Sequence, residues 1–194
     1  LLADRRGDIL LHRLSSVPDA DVRDLLDRLL DAGAAVDQAN AAGQTPLLRA
    51  SYAAAETPAL ALLERGADPD RADAGGDTPL HVLARRPAAP GRQAIARALL
   101  ARGADLEARN GRQETPLITA VERGDVEIVR LLVDAGADVD VRLERGAPLL
   151  TRLLSCDEDE LAKLALLLDA GADPDARGEH AHLPLAQALY GRLY

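Results

Sequence analysis

An internal repeat constrains the fold of this chain more than any other feature of its sequence. Across 194 residues, five segments end in a pair of aliphatic residues, two further residues and Gly-Ala. Their glycines lie 33, 37, 33 and 35 residues apart, at Gly33, Gly66, Gly103, Gly136 and Gly171. A proline follows each glycine after 12 or 13 residues, at Pro46, Pro79, Pro116, Pro148 and Pro184. A period in this range predicts small supersecondary units stacked into an array.

Each repeat carries its own helix start and helix stop. Thr45-Pro46 and two later Thr-Pro pairs are typical of helix starts, because the hydroxyl caps free N–H groups and proline is favoured at the first helical position. The glycine supplies the left-handed residue that closes a helix. Before it, apolar residues recur at helical spacing, as in Ile128-Val129 and Leu132-Val133. The sequence therefore predicts units made of a turn, a short first helix, a second helix and a stop.

These motifs resemble the ankyrin repeat, most clearly in Thr78-Pro79-Leu80-His81 and in the stretch 110–141. The first unit is degenerate, since Ile9-Leu10-Leu11-His12 replaces Thr-Pro-Leu-His. The resemblance implies an all-α ankyrin-repeat solenoid of stacked helix-turn-helix units with β-hairpin-like turns. We place the units of this single domain at 4–39, 40–72, 73–109, 110–141 and 142–177, followed by a half-unit at 178–194.

The units depart from the common pattern in two ways. Units one, three and five carry three or four extra residues between their helices, around 15–18, 87–91 and 156–160. The half-unit has an apolar stripe, Leu185, Leu189 and Leu193, and no second helix to cover it. We expect this stripe to pack on the fifth unit or to support weak self-association of an otherwise monomeric chain. We also expect the first and sixth units to be the least stable.

Composition and charge exclude several classes of protein. Hydrophobic residues make up 47% of the chain, yet three tyrosines are its only aromatic residues, so the core must consist of Leu, Ala, Val and Ile. A net charge of −9 argues against a general nucleic-acid or anionic-membrane binder, since both need a basic surface. No apolar run has the length of a membrane span. The single cysteine fits a cytoplasmic location, although a chain that begins at Leu1 leaves an N-terminal signal open.

Candidate catalytic and metal-binding residues are better explained structurally. The resemblance implies that His12 and His81 bond across the first turn of their helices. Cys156 precedes four acidic residues at 157–160, which disfavour a thiolate and suit a helix N-terminus better than a calcium loop. His180 and His182 follow Glu179, but the sequence places no third strong metal ligand beside them. We therefore predict no catalytic site, no metal and no cofactor.

Binding is the remaining function. The resemblance implies that a partner protein contacts the concave face, formed by turn tips and first helices. The candidate residues are Arg6, Gln44, Asp77, Arg112, Glu114 and Arg145 at the tips, and Tyr52, Arg85, Arg86, Glu122, Arg123 and Tyr190 on the first helices. Together with neighbouring tip positions they carry nine positive and six negative charges, which leaves about −12 for the rest of the surface. We expect recognition to centre on Tyr52, Arg85, Arg86 and Arg123, and the partner to offer acidic and aromatic groups.

Other function classes stay open at this point. The chain could be a bacterial immunity protein that neutralises a toxin, which a neighbouring toxin gene would indicate. It could also be the regulatory ankyrin portion of a larger protein. An enzyme in its own right ranks last.

Overall fold

The computed structural model describes residues 9–16, 22–86, 89–143, 146–153 and 157–176. Within these ranges the chain forms helices joined by turns, with no strand beyond an isolated antiparallel bridge between Arg142 and Pro148. In chain order the helices are α1 (Leu10–Leu14), α2 (Val22–Asp31), α3 (Pro46–Ala53), α4 (Glu56–Glu64), α5 (Pro79–Arg85), α6 (Arg92–Ala101), α7 (Pro116–Arg123), α8 (Val126–Asp134), a 3₁₀ helix (Leu149–Arg152) and α9 (Glu158–Asp169). None of them is long and apolar enough to span a bilayer. The predicted all-α solenoid is confirmed.

The helices stack in two rows, as the repeat predicts. The first helices of successive units pack on one another in the order α1, α3, α5, α7 and the 3₁₀ helix. The second helices pack behind them, α2 on α4, α4 on α6 and α8 on α9. A groove lined by Arg97 and Arg130 lies between α6 and α8. The unit boundaries themselves stay predictions, but each of the first five units contains the expected pair of helices.

Helix starts and stops follow the sequence motifs. The hydroxyls of Thr45 and Thr115 accept from the backbone N–H of Leu48 and Ile118, and Pro occupies the first helical position in both helices. Each closing glycine has a positive φ, between +79° and +96°. In the second unit, for example, Gly66 at φ +85° lets the Ala67 N–H reach back to the Leu62 carbonyl and close α4.

The turns are hairpin-like and bond to one another. At the start of three successive turns, Asn40, Asp73 and Asn110 use a side-chain oxygen to accept two backbone N–H groups further along the turn. The Ala74 N–H donates to the Ala42 carbonyl, and the Gly111 N–H donates to the Gly75 carbonyl. Neighbouring turns are thereby fixed in register, which aligns their tips along one edge of the solenoid.

The fifth unit departs from this pattern. Its first helix is the 3₁₀ helix Leu149–Arg152, where units two to four have α-helices. Leu143 stands where the other turns have Asn or Asp, and Pro148 occupies the N-cap position where they have Thr. Neither side chain can accept a backbone N–H, so both the side-chain bonds that shape the turn and the hydroxyl cap are lost. The loss of both devices explains the tighter, shorter helix.

The predicted extra residues lie between helices. The link from α5 to α6 runs over 86–91, whereas those from α3 to α4 and from α7 to α8 run over 54–55 and 124–125. The insertions in units one, three and five fall partly on 17–21, 87–88 and 154–156, outside the described residues. The half-unit at 178–194, with its leucine stripe, also lies outside them, and its packing stays a prediction.

The core consists of aliphatic residues, as the composition predicts. Leucines such as Leu47, Leu80 and Leu117 repeat from unit to unit with at most 1% of their surface exposed. Two cations are buried beside them. Arg92 at the start of α6 donates to the Arg86 carbonyl and, at 2.5 and 2.6 Å, to both carboxylate oxygens of Asp125. The Lys163 amino group on α9 donates to the carbonyls of Val121 and Gly124 at 3.3 and 2.8 Å, which joins α9 to the end of α7.

Candidate protein-binding surface

Side chains from the turn tips and first helices form one surface, which we call the inner face. Its described part runs from Tyr52 in unit two to Arg152 in unit five. Seven of the twelve candidate residues lie in a chain of side-chain contacts along it: Tyr52, Asp77, Arg85, Arg112, Glu114, Glu122 and Arg123. The repeat pattern predicts that these residues share one face, and in the structure each takes part in a side-chain hydrogen bond or ion pair there.

Tyr52 begins the chain of contacts. Its hydroxyl donates to Asp73 Oδ2 at 2.9 Å, which links α3 to the next turn. Burial raises the pKa of Tyr52 to about 12, and the hydrogen bond to Asp73 adds to the effect. The half-buried ring is therefore held in one orientation, with its phenol neutral at physiological pH.

Asp77 joins the third turn to the fourth. One carboxylate oxygen accepts from Arg85 Nη2 on α5, and the other accepts from Asn110 Nδ2 at 2.9 Å. Asp77 is only 8% exposed, so it orients Arg85 and the fourth turn and offers little surface to a partner. Whether Asp77 contacts a partner stays a prediction.

Glu114 is the hub of the fourth turn. It accepts from Asn110 Nδ2 at 3.2 Å, from Arg112 Nε at 3.0 Å and from both terminal nitrogens of Arg123. Burial raises the pKa of Glu114, but the hydrogen bonds from Arg123, Asn110 and Arg112 outweigh it and leave the pKa below its ordinary value. The carboxylate thus stays ionised and holds two arginines on the inner face.

Glu122 carries the contacts into the fifth unit. It pairs with Arg123 at 3.5 Å and accepts from Arg152 Nε at 2.9 Å. Between these groups lies an open cavity of about 270 Å³. Its lining comes from the fourth turn, α7 and the fifth unit: Arg112, Gln113, Glu114, Ile118, Glu122, Arg123, Leu143 and Arg152.

Two further candidate residues, Arg86 and Gln44, are described but lie outside the chain of contacts. Arg86 is exposed at the end of α5, where its carbonyl accepts from the buried Arg92. Gln44 is half-buried, and its carbonyl accepts from His12 Nε2 at 2.9 Å. Arg6, Arg145 and Tyr190 lie outside the described residues.

Sequence reasoning missed three residues of this surface. Asp73 and Asn110 were not among the candidate residues, but each bonds to a side chain of the preceding unit. Arg152 is the last residue of the 3₁₀ helix, and its Nε donates to the Glu122 carboxylate. The sequence did offer a signal for Asp73 and Asn110, since an aspartate or asparagine recurs at this turn position in units two, three and four.

The two repeat-motif histidines are structural. His81 Nδ1 lies 2.9 Å from the Thr78 hydroxyl, and His81 Nε2 lies 2.9 Å from the Glu114 carbonyl oxygen of the next unit. His12 bonds to Ile9 and Gln44 in the same way. The predicted bond across the first turn is confirmed, and a second bond to the next turn accompanies it. Cys156, Glu179, His180 and His182 fall outside the described residues, within which no group of metal-binding side chains occurs.

A row of carboxylates bonds neighbouring units beside the turns. After α2, α4, α6 and α8, a carboxylate accepts the backbone N–H of an aspartate in the next unit: Asp37 from Asp68, Asp70 from Asp105, Glu107 from Asp138, and Asp140 from Asp173. These bonds join the segment that follows one second helix to the same segment of the next unit.

Comparisons with known proteins agree with this architecture. A family model described as ankyrin repeats (3 copies) matches residues 11–110, just over half of the chain, and one described as ankyrin repeats (many copies) matches residues 99–150. The crystal structure of an ankyrin repeat domain from Acinetobacter baumannii AYE is 32% identical in sequence, with a TM-score of 0.81. The alignment covers 95% of this chain and 91% of that one. Among curated proteins, none matches the sequence significantly.

Proposed function

Since this chain belongs to the ankyrin repeat family, we propose that it binds a partner protein through its inner face. Ankyrin repeats are generally protein–protein interaction modules. The observation that supports this role most directly is the chain of side-chain contacts from Tyr52 to Arg152. It spans four units, and its members hold each other in fixed orientations before any partner arrives.

The chemistry of the inner face suits recognition better than catalysis. Glu114 and Glu122 each contact two arginines, and the lowered pKa of Glu114 makes it poorly suited to donate a proton. Arginine is enriched at protein interfaces because its planar fork binds carboxylates and stacks on aromatic rings. We therefore propose a non-catalytic module.

The charge distribution indicates the kind of partner. Among the described tip and inner-face positions, six arginines stand against four carboxylates: Arg85, Arg86, Arg109, Arg112, Arg123 and Arg152 against Asp73, Asp77, Glu114 and Glu122. The whole chain carries a net charge of −9, so the rest of its surface is acidic. We propose a partner with acidic and aromatic groups, which the inner face attracts and the rest of the surface repels.

Affinity capture from a lysate of the source organism tests this proposal. The bait carries Tyr52→Ala, Arg86→Ala and Arg123→Ala together, and bound proteins are identified by mass spectrometry. Each substitution is expected to weaken binding by about 1 kcal/mol or more if it is a hot spot, so the triple variant should lose the partner that the unchanged chain retains.

The matched control removes arginines from the other side of the solenoid. Arg97 and Arg130 are exposed on the second helices α6 and α8, and Arg97→Ala with Arg130→Ala should leave capture unchanged. Circular dichroism should show both baits folded. If the inner-face variant captures the same proteins as the unchanged chain, or the control loses them, recognition lies elsewhere.

A further inference from the structure

The cavity between the fourth and fifth units is the part of the inner face with the most specific chemistry. Building on the proposed function, we propose that it is a subsite for one carboxylate of the partner that stands next to an aliphatic group. Such a carboxylate occurs in an acidic side chain beside a leucine or in a C-terminal aliphatic residue.

Two arginines present free donors to this cavity. Arg112 uses Nε to bond Glu114, and Arg152 uses Nε to bond Glu122. Within the described residues, their terminal Nη atoms have no partner, and the two side chains are 52% and 51% exposed. Each guanidinium is thus fixed through its inner nitrogen, while its outer nitrogens face solvent. A fork held in this manner binds a carboxylate with little loss of side-chain entropy.

The charge of the cavity selects a single negative charge. Its lining includes Arg112, Arg123 and Arg152 against Glu114 and Glu122, a net charge of +1. One carboxylate neutralises this excess. A phosphate dianion would exceed it and would lie beside the Glu114 carboxylate, so phosphate should bind more weakly in spite of the arginines.

Apolar side chains provide the second half of the site. Ile118, which is 1% exposed, and the half-buried Leu143 form part of the wall. Leu143 stands where the other described turns of this type have Asn or Asp, so the substitution that weakens the fifth turn also makes the cavity partly apolar. An aliphatic group beside the bound carboxylate can contact Leu143, whereas the more deeply buried Ile118 offers little accessible surface.

Gln113 adds a hydrogen-bond donor to the cavity, although its backbone has a conformation that is unfavourable for glutamine. It adopts φ +59°, whereas the equivalent positions of the two preceding turns are Gly43 and Gly76. A glutamine in the left-handed region is strained relative to glycine, and such strain concentrates at binding sites. Its side chain lines the cavity, where its amide can donate to the same carboxylate.

NMR titration of the ¹⁵N-labelled chain tests the proposal without the partner, by following the arginine Nε–Hε signals. The probes at tens of millimolar are N-acetyl-leucine, N-acetyl-leucyl-glutamate amide, neutral N-acetyl-leucinamide and inorganic phosphate. We expect saturable shifts of Arg112 and Arg152 with the two carboxylates and none with the neutral probe. Tighter binding of N-acetyl-leucine would indicate a C-terminal carboxylate, and tighter binding of N-acetyl-leucyl-glutamate amide would indicate an acidic side chain. Phosphate should bind more weakly than either.

Variants separate binding from stability. Arg112→Gln and Arg152→Gln should each weaken the better carboxylate probe about tenfold, while Arg130→Gln on α8 should not change it. Gln113→Gly should weaken binding while raising the melting temperature, a combination that a purely structural role would not produce.

Three outcomes overturn the subsite: equal shifts with N-acetyl-leucinamide, phosphate binding at least as tightly as the carboxylates, or no response of Arg112 and Arg152 to any probe. These failures differ from failure of the proposed function. If no carboxylate probe binds but capture still depends on Tyr52, Arg86 and Arg123, the subsite is wrong and the inner-face proposal stands. If the carboxylate probes bind but capture does not depend on those three residues, only the subsite stands.

Discussion

At the scale of single residues, the molecule uses a few polar side chains to join one repeat to the next. His81 contacts Thr78 in its own helix and the Glu114 carbonyl in the following turn. His12 makes the equivalent contacts, whereas Leu48 and Ile118 occupy this position in units two and four. At this helix position, a histidine therefore alternates with an apolar side chain along units one to four. This alternation matches the extra residues between helices, which also fall in units one and three.

Replacing His81 should make stability less dependent on pH. Burial lowers the pKa of His81 below 6.5, so the folded protein resists the proton that the unfolded chain takes up as pH falls through that value. His81 thus contributes stability above pH 6.5 that is lost as pH falls towards its folded-state pKa. His81→Gln should cost about 1–2 kcal/mol at pH 7.5, and the difference from the unchanged chain should narrow at pH 5.5. Urea unfolding at both pH values measures it.

Thr45→Ala is the control for this experiment. It removes a helix cap of similar worth without removing a titratable group, so its cost should be equal at the two pH values. A cost of His81→Gln that stays constant or grows as the pH falls would show that His81 is not held neutral.

At the scale of elements, a capping residue can serve two helices at once. Asp125 caps α8 by accepting the Ile128 N–H at 3.1 Å, and it also accepts from the buried Arg92 at the start of α6. Thr115 caps α7 by accepting the Ile118 N–H and has no ion pair. The two caps therefore differ by an ion pair between units.

This difference predicts unequal costs for two alanine substitutions. Thr115→Ala should cost about 1 kcal/mol, as the loss of a cap does. Asp125→Ala should cost about 3 kcal/mol or more, because it also leaves the Arg92 charge buried without its partner. Chemical denaturation measures both. Arg92→Met in the Asp125→Ala background should recover part of the loss, and equal costs for the two single substitutions would rule out a strong ion pair.

Local signals predicted the helices, and residues that act across units were harder to foresee. Thr-Pro starts a helix and Gly-Ala ends one through bonds to residues within about one helical turn, so the starts of α3 and α7 could be predicted from the sequence. The partner of Arg92 is 33 residues away, and no local pattern distinguishes it from an exposed arginine. Asp77 was placed on the binding surface for its position at the tip, yet its bonds to Arg85 and Asn110 bury it.

At the scale of the whole molecule, stability is distributed along the array. Each unit contacts its neighbours, so the free energy of unfolding is close to a sum of unit and interface terms. In units two to four the first helices have seven or eight residues, and their turns bond to one another. The buried side chains of His81 and Arg92 also bond to the following unit. The first unit has a five-residue α1, and the fifth has a 3₁₀ helix.

Hydrogen exchange should therefore be slowest in the middle of the chain. We expect the amides of α3 to α8 to exchange more slowly than those of α1 and of the 3₁₀ helix, because opening an end breaks one interface and opening the middle breaks two. Mass spectrometry of peptic fragments resolves these segments. Slowest exchange in α1 or α2 would contradict the ranking and would imply that the first unit packs against further structure.

The burial of Lys163 has a consequence for the chemical reactivity of the chain. It is the only lysine in the sequence, it is 6% exposed, and its amine is bonded to two carbonyls at the end of α7. Acylating reagents that modify surface amines thus find no accessible lysine in the folded solenoid. Separation of α9 from α7 uncovers this amine, so its acylation rate reports how often the junction between the fourth and fifth units opens.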